Sequence, residues 1–289
     1  MRVLVTGGGG QLARALTRTA PPQAVIFAPA RAELDVVDVR SVAATFDAFA
    51  PTTVINTAAY TAVDQAESER AAAFRANADG PRNLADACRA QGARFVHVST
   101  DYVFDGSASR PYPPEHPRSP RSVYGQSKAA GEAAVAEILP EATIVRTAWV
   151  YSRDGNNFVN TMRRLLAERE ELTVVCDQVG APTWADNLAR VLWSFAARPA
   201  AGVFHYTDAG VASWYDFAIA VAEEGEAAGV LAPRANVLPV DTSAFPRPAP
   251  RPAFSVLDCR STHAHTGIAP EHWRRALRRM LAELREAPG

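Results

Sequence analysis

Lysine is nearly absent from this chain. Of 30 Lys+Arg residues only Lys128 is lysine, leaving 30 − 1 = 29 arginines, so a drift toward arginine that runs through the whole sequence has spared one position. Cysteine is scarce as well. Cys88, Cys176 and Cys259 are odd in number, far apart and without a Cys-x-x-Cys spacing, which argues against a disulfide framework or a thiolate metal site and suits a reducing compartment. His263 and His265 lack further ligands at metal spacing and read as a surface loop, so no metal is expected. Neither sign of charge dominates: the net charge is -1 and the arginines are dispersed, which gives no electrostatic ground for nucleic acid or an anionic membrane as partner. No apolar run is long enough to span a bilayer, and the opening Met1-Arg2-Val3-Leu4-Val5-Thr6-Gly7 reaches glycine too early to form a signal-peptide core. These absences describe a cytoplasmic protein, and 289 residues suffice for one large α/β unit or two lobes.

What is present is an alternation of apolar runs and helical patterns. Residues 2–6, about 24–28, 53–57, 94–98 and 143–148 read as strands, with helices following the first at Gln11–Leu16, then near 40–49, over 64–91 with a break at Gly80-Pro81, and from Tyr124 onward. Repeated strand and helix implies right-handed crossovers and a parallel sheet covered on both faces, an α/β doubly wound fold. Past Tyr151 the alternation loosens into helices near 157–169, 184–197, 214–228 and 271–286 and short strands near 172–176, 203–206 and 254–257. Trp273, Leu277, Met280, Leu281 and Leu284 have core spacing on the last helix, and Asp64, Glu67 and Glu69 read as a solvated helix face.

Three stretches carry chemistry. Thr6-Gly7-Gly8-Gly9-Gly10-Gln11-Leu12-Ala13 lies between the first strand and the first helix, where a dinucleotide pyrophosphate rests on backbone amides. Gly7 would make the turn and Gly10 would admit the phosphates. At the end of the second strand Ala28-Pro29-Ala30 stands in place of a ribose-binding carboxylate and Arg31 follows, which favours NADPH through a 2′-phosphate contact and leaves NADH open. Ser99-Thr100-Asp101-Tyr102 leaves the carboxyl end of the fourth strand, and Thr100 could hydrogen-bond a carbonyl undergoing reduction. Ala58 and Ala59, after the third strand, are small enough for close cofactor approach. Finally Tyr124 and the lone Lys128 are four apart, about 6 Å along one helix face. An ammonium beside a phenol favours phenolate and would lower the tyrosine pKa toward working pH.

Taken together, Thr-Gly-x-x-Gly-x-x-Ala, Asn56-x-Ala-Ala-Tyr60, Ser99 to Gly106 and Tyr-x-x-x-Lys resemble the extended short-chain dehydrogenase/reductase superfamily. Gly10-Gln11-Leu12, Tyr60 to Glu67, Arg146 to Tyr151, Gly155 to Phe158 and Asp177 to Thr183 resemble, within it, the dTDP-4-dehydrorhamnose reductases. The resemblance implies an NADP-binding Rossmann domain over 1–150 and a smaller sugar-nucleotide-binding lobe over 151–289, with the strand near 172–176 returning to the Rossmann sheet. It implies cofactor contacts from Gly10, Gln11, Leu12, Asp35, Val36, Ala59, Tyr60 and Thr61, beside Gly7, Arg31 and Ala58 read from the residues above, and a catalytic set of Thr100, Tyr124 and Lys128, of which Tyr124 and Lys128 would also meet the cofactor. Thr100, Asp101, Tyr102, Trp149 and Gln178 would meet a dTDP-sugar substrate, with Arg251 added by charge as a diphosphate ligand.

Two departures bear on the reading. Sugar-nucleotide dehydratases follow the catalytic threonine with acidic residues, whereas Tyr102 follows Asp101 here, so dehydration is disfavoured. Family members bridged by a metal use a glutamate of the first helix where this chain has Ala15; a homodimer stays open, a metal-bridged one is not expected. The activity implied is NADPH-dependent reduction of the C4 ketone of a dTDP-4-keto-6-deoxysugar, dTDP-4-dehydro-L-rhamnose foremost. Another deoxysugar nucleotide of antibiotic biosynthesis remains an alternative. So does a non-catalytic NADP-binding regulatory subunit, as of methionine adenosyltransferase, against which the intact Thr100, Tyr124 and Lys128 set stands.

Overall fold

A computed structural model describes residues 1–286 of the chain. Six parallel strands form the central sheet: β1 (Arg2–Thr6), β2 (Val25–Phe27), β3 (Thr53–Asn56), β4 (Arg94–Thr100), β5 (Thr143–Thr147) and β6 (Gly202–His205), in the spatial order β6-β5-β4-β3-β1-β2. The inner strands are buried without alternation because both faces are covered. The first helix, α1 (Gln11–Arg18), covers one face, burying Leu12, Ala13, Ala15 and Leu16. On the other face lie α2 (Val39–Phe49), α3 (Gly80–Gln91) and α4 (Val123–Ile138), contributing Phe46, Leu84 and Val135. Chain order reverses across β1, whose neighbours are β2 and β3, and the carboxyl ends of strands at such a switch point are where open α/β sheets bind ligands.

The second half of the chain builds its own core from α5 (Phe158–Glu168), α7 (Trp214–Ala227) and α8 (Trp273–Glu286). Trp273, Leu277, Met280 and Leu281 are buried in it as their spacing predicts. The remaining long helix, α6 (Ala185–Ala197), packs instead on α1 under the main sheet through Leu188, Val191, Leu192 and Phe195.

The strand that returns to the main sheet is not the one near 172–176. Residues Glu171–Val175 pair with Asn236–Val240 in a separate two-stranded sheet, and β6 takes the edge beside β5. Burial explains the exchange: Leu172 and Val174 both face the second core while Glu171 and Thr173 are exposed, a one-sided strand. In β6, Val203 packs against one sheet face and Phe204 against the other. No strand forms over 254–257, where only isolated bridges at Phe254 and Leu257 occur. His263 and His265 are not on a loop but on a helix, Arg260–Thr266, with the His265 ring stacked on Phe195.

The helical run before α3 also differs from the expected one. Its break falls at Glu67–Glu69, between Val63–Ala66 and Arg70–Phe74, while Gly80-Pro81 stays helical behind a π-turn at Arg75–Asp79. A helical proline clashes with the carbonyl four residues earlier, here that of Asn77. The wide turn relieves the clash and leaves the Asn77 carbonyl so close to Gly131 of α4 that a Cβ there would lie 2.0 Å from it. Among the described residues no helix is long and apolar enough to cross a membrane.

Candidate active site

A cleft of about 700 Å³ runs along the carboxyl ends of β1, β3, β4 and β5. At one end is the glycine turn. Gly7 has φ +73, a left-handed conformation that strains other residues, and a Cβ on it would lie 3.0 Å from the Ala58 backbone. Gly10 occupies the N-cap of α1 without a side-chain cap, so the first amides of the helix face the cleft unpaired by protein, as an anion site requires. Gln11, Leu12, Arg31, Asp35, Val36, Ala58, Ala59 and Thr61 line the same wall. Arg31 is largely exposed and lies 3.6 Å from Asp35.

The opposite wall is set by α4. Ser122 caps it, accepting from the Gly125 amide at 3.1 Å. A Cβ at Gly125 would sit 2.2 Å from the Tyr102 carbonyl oxygen, so this glycine lets the Thr100–Tyr102 segment lie directly on the helix. Thr100 donates to Asp101 Oδ1 at 2.9 Å and accepts from the Tyr102 amide at 3.2 Å. The Tyr124 and Tyr102 rings meet edge-on with centroids 5.4 Å apart.

Electrostatics here depart from the sequence expectation. Burial pushes the Tyr124 phenol up to about 12, with the Thr100 hydroxyl pulling it down and Asp101 pushing it up. Lys128 does not depress it, because its ammonium is turned to the Val98 carbonyl, donating at 2.7 Å. Burial also lowers Lys128 to about 8, while Glu132, one turn on, raises it. Glu132 is itself held by Arg146, which donates through Nε at 2.8 Å and Nη2 at 2.7 Å, and by Ser99 at 2.6 Å. Burial raises Asp101 to about 6, against hydrogen bonds from Ser255 and Thr100.

Thr100, Asp101, Tyr102, Tyr124, Lys128 and Trp149 therefore meet the glycine turn in one cleft. Three expected residues do not line it. Tyr60 binds Glu69 through its hydroxyl at 2.9 Å. Gln178 donates to Thr242 at 3.0 Å. Arg251 pairs with Asp64 at 2.8 Å and lies over the Tyr102 ring, 5.9 Å from its centroid, with Nη1 buried and unpartnered. Asp64, Glu67 and Glu69 are thus no mere solvated face: besides these two pairs, Glu67 accepts from the Val123 amide at the start of α4, at 2.8 Å.

Two residues escaped sequence reasoning. Asn77, fully buried in the π-turn, accepts from the Tyr60 amide at 2.8 Å and donates to the Tyr60 carbonyl at 3.0 Å and to Ser127 Oγ at 2.9 Å, tying the 58–61 wall to α4. The signal was Pro81, four residues on within a helical pattern. Thr147, opposite Thr100 across β4 and β5, borders the cleft with its hydroxyl buried and unpartnered. Among the described residues no cluster of acidic, histidine or cysteine side chains could hold a metal.

The family model described as RmlD substrate binding domain matches residues 1–286. The dTDP-4-dehydrorhamnose reductase of Streptomyces griseus is 45% identical over 284 residues, covering 96% of this chain and 91% of that one. A Streptomyces antibioticus protein named probable dTDP-4,6-dihydroxy-2-methyloxan-3-one 4-ketoreductase is 43% identical over 288 residues, covering 98% of this chain and 96% of that one. The crystal structure of dTDP-4-dehydrorhamnose reductase from Bacillus anthracis in complex with NADP matches with a TM-score of 0.93 at 37% identity, over 98% of this chain and 99% of that one. With the fold, the glycine turn and these matches over nearly its whole length, the chain belongs to the RmlD substrate binding domain family.

Proposed function

We propose that the protein is an NADPH-dependent oxidoreductase that reduces the C4 ketone of a dTDP-4-keto-6-deoxysugar, with dTDP-4-dehydro-L-rhamnose as substrate and dTDP-L-rhamnose as product. The observation that carries this is the convergence of Thr100, Tyr124 and Lys128 on the cleft that also holds the glycine turn. The residues present fit a dinucleotide. The turn at Gly7 leaves no room for a Cβ, the α1 amides are uncapped, and the orphaned Thr147 hydroxyl offers a polar contact deep in the cleft. Gly7, Gly10, Gln11 and Leu12 would hold the pyrophosphate, Asp35, Val36, Ala58, Ala59 and Thr61 the adenosine side, and Arg31 the 2′-phosphate. When bound, the nicotinamide supplies the hydride for the C4 carbon.

The chain's own residues manage the proton and the ketone. The Thr100 hydroxyl orients the C4 carbonyl. Tyr124, raised to about 12, carries its proton throughout the neutral range and donates it to the oxygen of the new alcohol. That leaves a phenolate in a buried site, where Lys128 would supply the compensating charge by turning its ammonium from the Val98 carbonyl. Lys128 would also hold the nicotinamide ribose. Asp101, Tyr102 and Trp149 would take the sugar, Gln178 would be a further contact, and Arg251, packed over the Tyr102 ring, would exchange Asp64 for a diphosphate.

The Streptomyces antibioticus relative favours a second reading, in which the ketone belongs to another deoxysugar nucleotide. Following NADPH absorbance over a panel of dTDP-4-keto-6-deoxysugars tests both readings. Turnover of dTDP-4-dehydro-L-rhamnose above the others is expected. A different preferred ketone selects the second reading, and NADPH binding with no turnover of any would overturn the enzyme assignment in favour of a regulatory subunit.

A further inference from the structure

We propose that Trp214 and Gly180 are positioning residues for the sugar nucleotide, acting through Trp149; this rests on the assignment of Trp149 to the sugar side of the cleft. Trp149 has φ +48, the left-handed region, which for a bulky aromatic residue persists only where its surroundings over-determine it. Among the described residues the one other non-glycine with positive φ is Ala50, at the end of α2. Trp149 instead sits inside the functional cleft, between β5 and the two-residue strand Val150–Tyr151.

Two contacts hold its ring. The indole lies flat on that of Trp214, centroids 3.5 Å apart and planes 6° from parallel. Gly180 abuts its five-membered edge so closely that a Cβ would lie 2.7 Å from Cε2 and 2.8 Å from Nε1. Trp214 and Gly180 are both outside the cleft lining, and Trp149, which belongs to it, is the residue both pack against.

The slot is itself built with care. Strand Val179–Gly180 pairs antiparallel with Ala212–Ser213, setting Gly180 opposite Ala212 and bringing Trp214 alongside two residues later. Ser213 and Asp216 form a capping box that fixes Trp214 as the first residue of α7. Phe158 of α5 backs the Trp214 ring at 4.7 Å. The Trp149 carbonyl accepts from the Thr183 amide at 3.1 Å, anchoring its backbone. Without the Trp214 ring, or with a Cβ on Gly180, the strained φ loses one of the ring contacts that oppose its relaxation, and the indole leaves the position it holds in the cleft.

The test compares Trp214→Ala, Trp214→Phe, Gly180→Ala and Trp149→Ala with the unaltered enzyme. It reads KM for the sugar nucleotide, kcat, NADPH affinity by fluorescence titration, and the circular-dichroism couplet expected of two stacked indoles. Trp214→Ala and Gly180→Ala are expected to raise the sugar-nucleotide KM about tenfold while NADPH affinity stays within about twofold, and Trp214→Phe to restore most of the loss. The couplet should vanish in Trp149→Ala and Trp214→Ala and weaken in Gly180→Ala. Because Gly180→Ala leaves the α7 cap and the Trp214 side chain in place, it carries the test if Trp214→Ala fails to fold. A raised KM in Trp149→Ala beside unchanged KM values in the Trp214 and Gly180 variants overturns the positioning role and leaves the sugar assignment standing. An unchanged KM in Trp149→Ala removes the assignment itself and the inference with it.

Discussion

Replacing Glu132 by glutamine removes the carboxylate one turn beyond Lys128 while keeping its shape. Glu132 and Arg146 are 1% and 3% exposed and share two hydrogen bonds, with Ser99 donating a third to the carboxylate. A glutamine offers one acceptor oxygen for these donors and no charge, and breaking a buried pair from one side costs about 3–5 kcal/mol. The Pro114 carbonyl and the Phe104 ring remain on Arg146, which places the loss toward the lower end of that range. The kinetic effect follows from Lys128. Burial has already lowered it to about 8 and Glu132 is the group that raises it, so its removal lowers Lys128 further. In the proposed mechanism Lys128 works as a cation; kcat/KM is therefore expected to fall as pH rises through its pKa, near 8 in the wild type, and the Glu132→Gln fall to begin at lower pH. Profiles of kcat/KM from about pH 6 to about pH 10, alongside urea denaturation, measure both effects. A folded variant whose alkaline limb stays at the wild-type position would refute the coupling of Glu132 to Lys128.

Gly125→Ala should lower both the denaturation midpoint and kcat: alanine gains about 1 kcal/mol of helix propensity, but its Cβ would meet the Tyr102 carbonyl at 2.2 Å. A raised midpoint would show that the Thr100–Tyr102 segment does not rest on α4 as described. Asn77→Ala leaves the Tyr60 amide and carbonyl without their partner, at about 1–3 kcal/mol for each orphaned group. It is expected to weaken NADPH binding as the 58–61 wall loosens, and NADPH titration at wild-type affinity would contradict that link. Arg31→Ala should raise KM for NADPH by about tenfold with little change for NADH, since the proposed role of the guanidinium is to meet the 2′-phosphate alone; equal effects on the two cofactors would remove it from that role.

Where local chemistry and fold agree, the sequence was readable. Strand, glycine turn and helix in order announce a nucleotide cleft because only glycine tolerates the backbone at Gly7, and Tyr124 and Lys128 are paired by helix geometry. What escaped depends on contacts between distant segments. Strands 171–175 and 202–205 are both short and apolar, and only the cores they face decide which joins the main sheet. The stack of Trp149 on Trp214 joins residues 65 positions apart through a two-residue ladder that leaves no periodicity to read. The Tyr124 shift runs opposite to the expected direction for a related reason: spacing puts the ammonium nearby, whereas burial dominates and the Val98 carbonyl takes the lysine.

Tyr124→Phe is the most direct test of the central claim, because it removes one oxygen from a buried ring and little else. Turnover of the dTDP-4-keto-6-deoxysugar should fall by about 10²–10⁴-fold, the contribution of a positioned general acid, while NADPH still binds with near wild-type affinity. Near wild-type turnover in that variant would contradict the assignment of Tyr124 as the proton donor, and with it the account of this cleft as the site of ketone reduction.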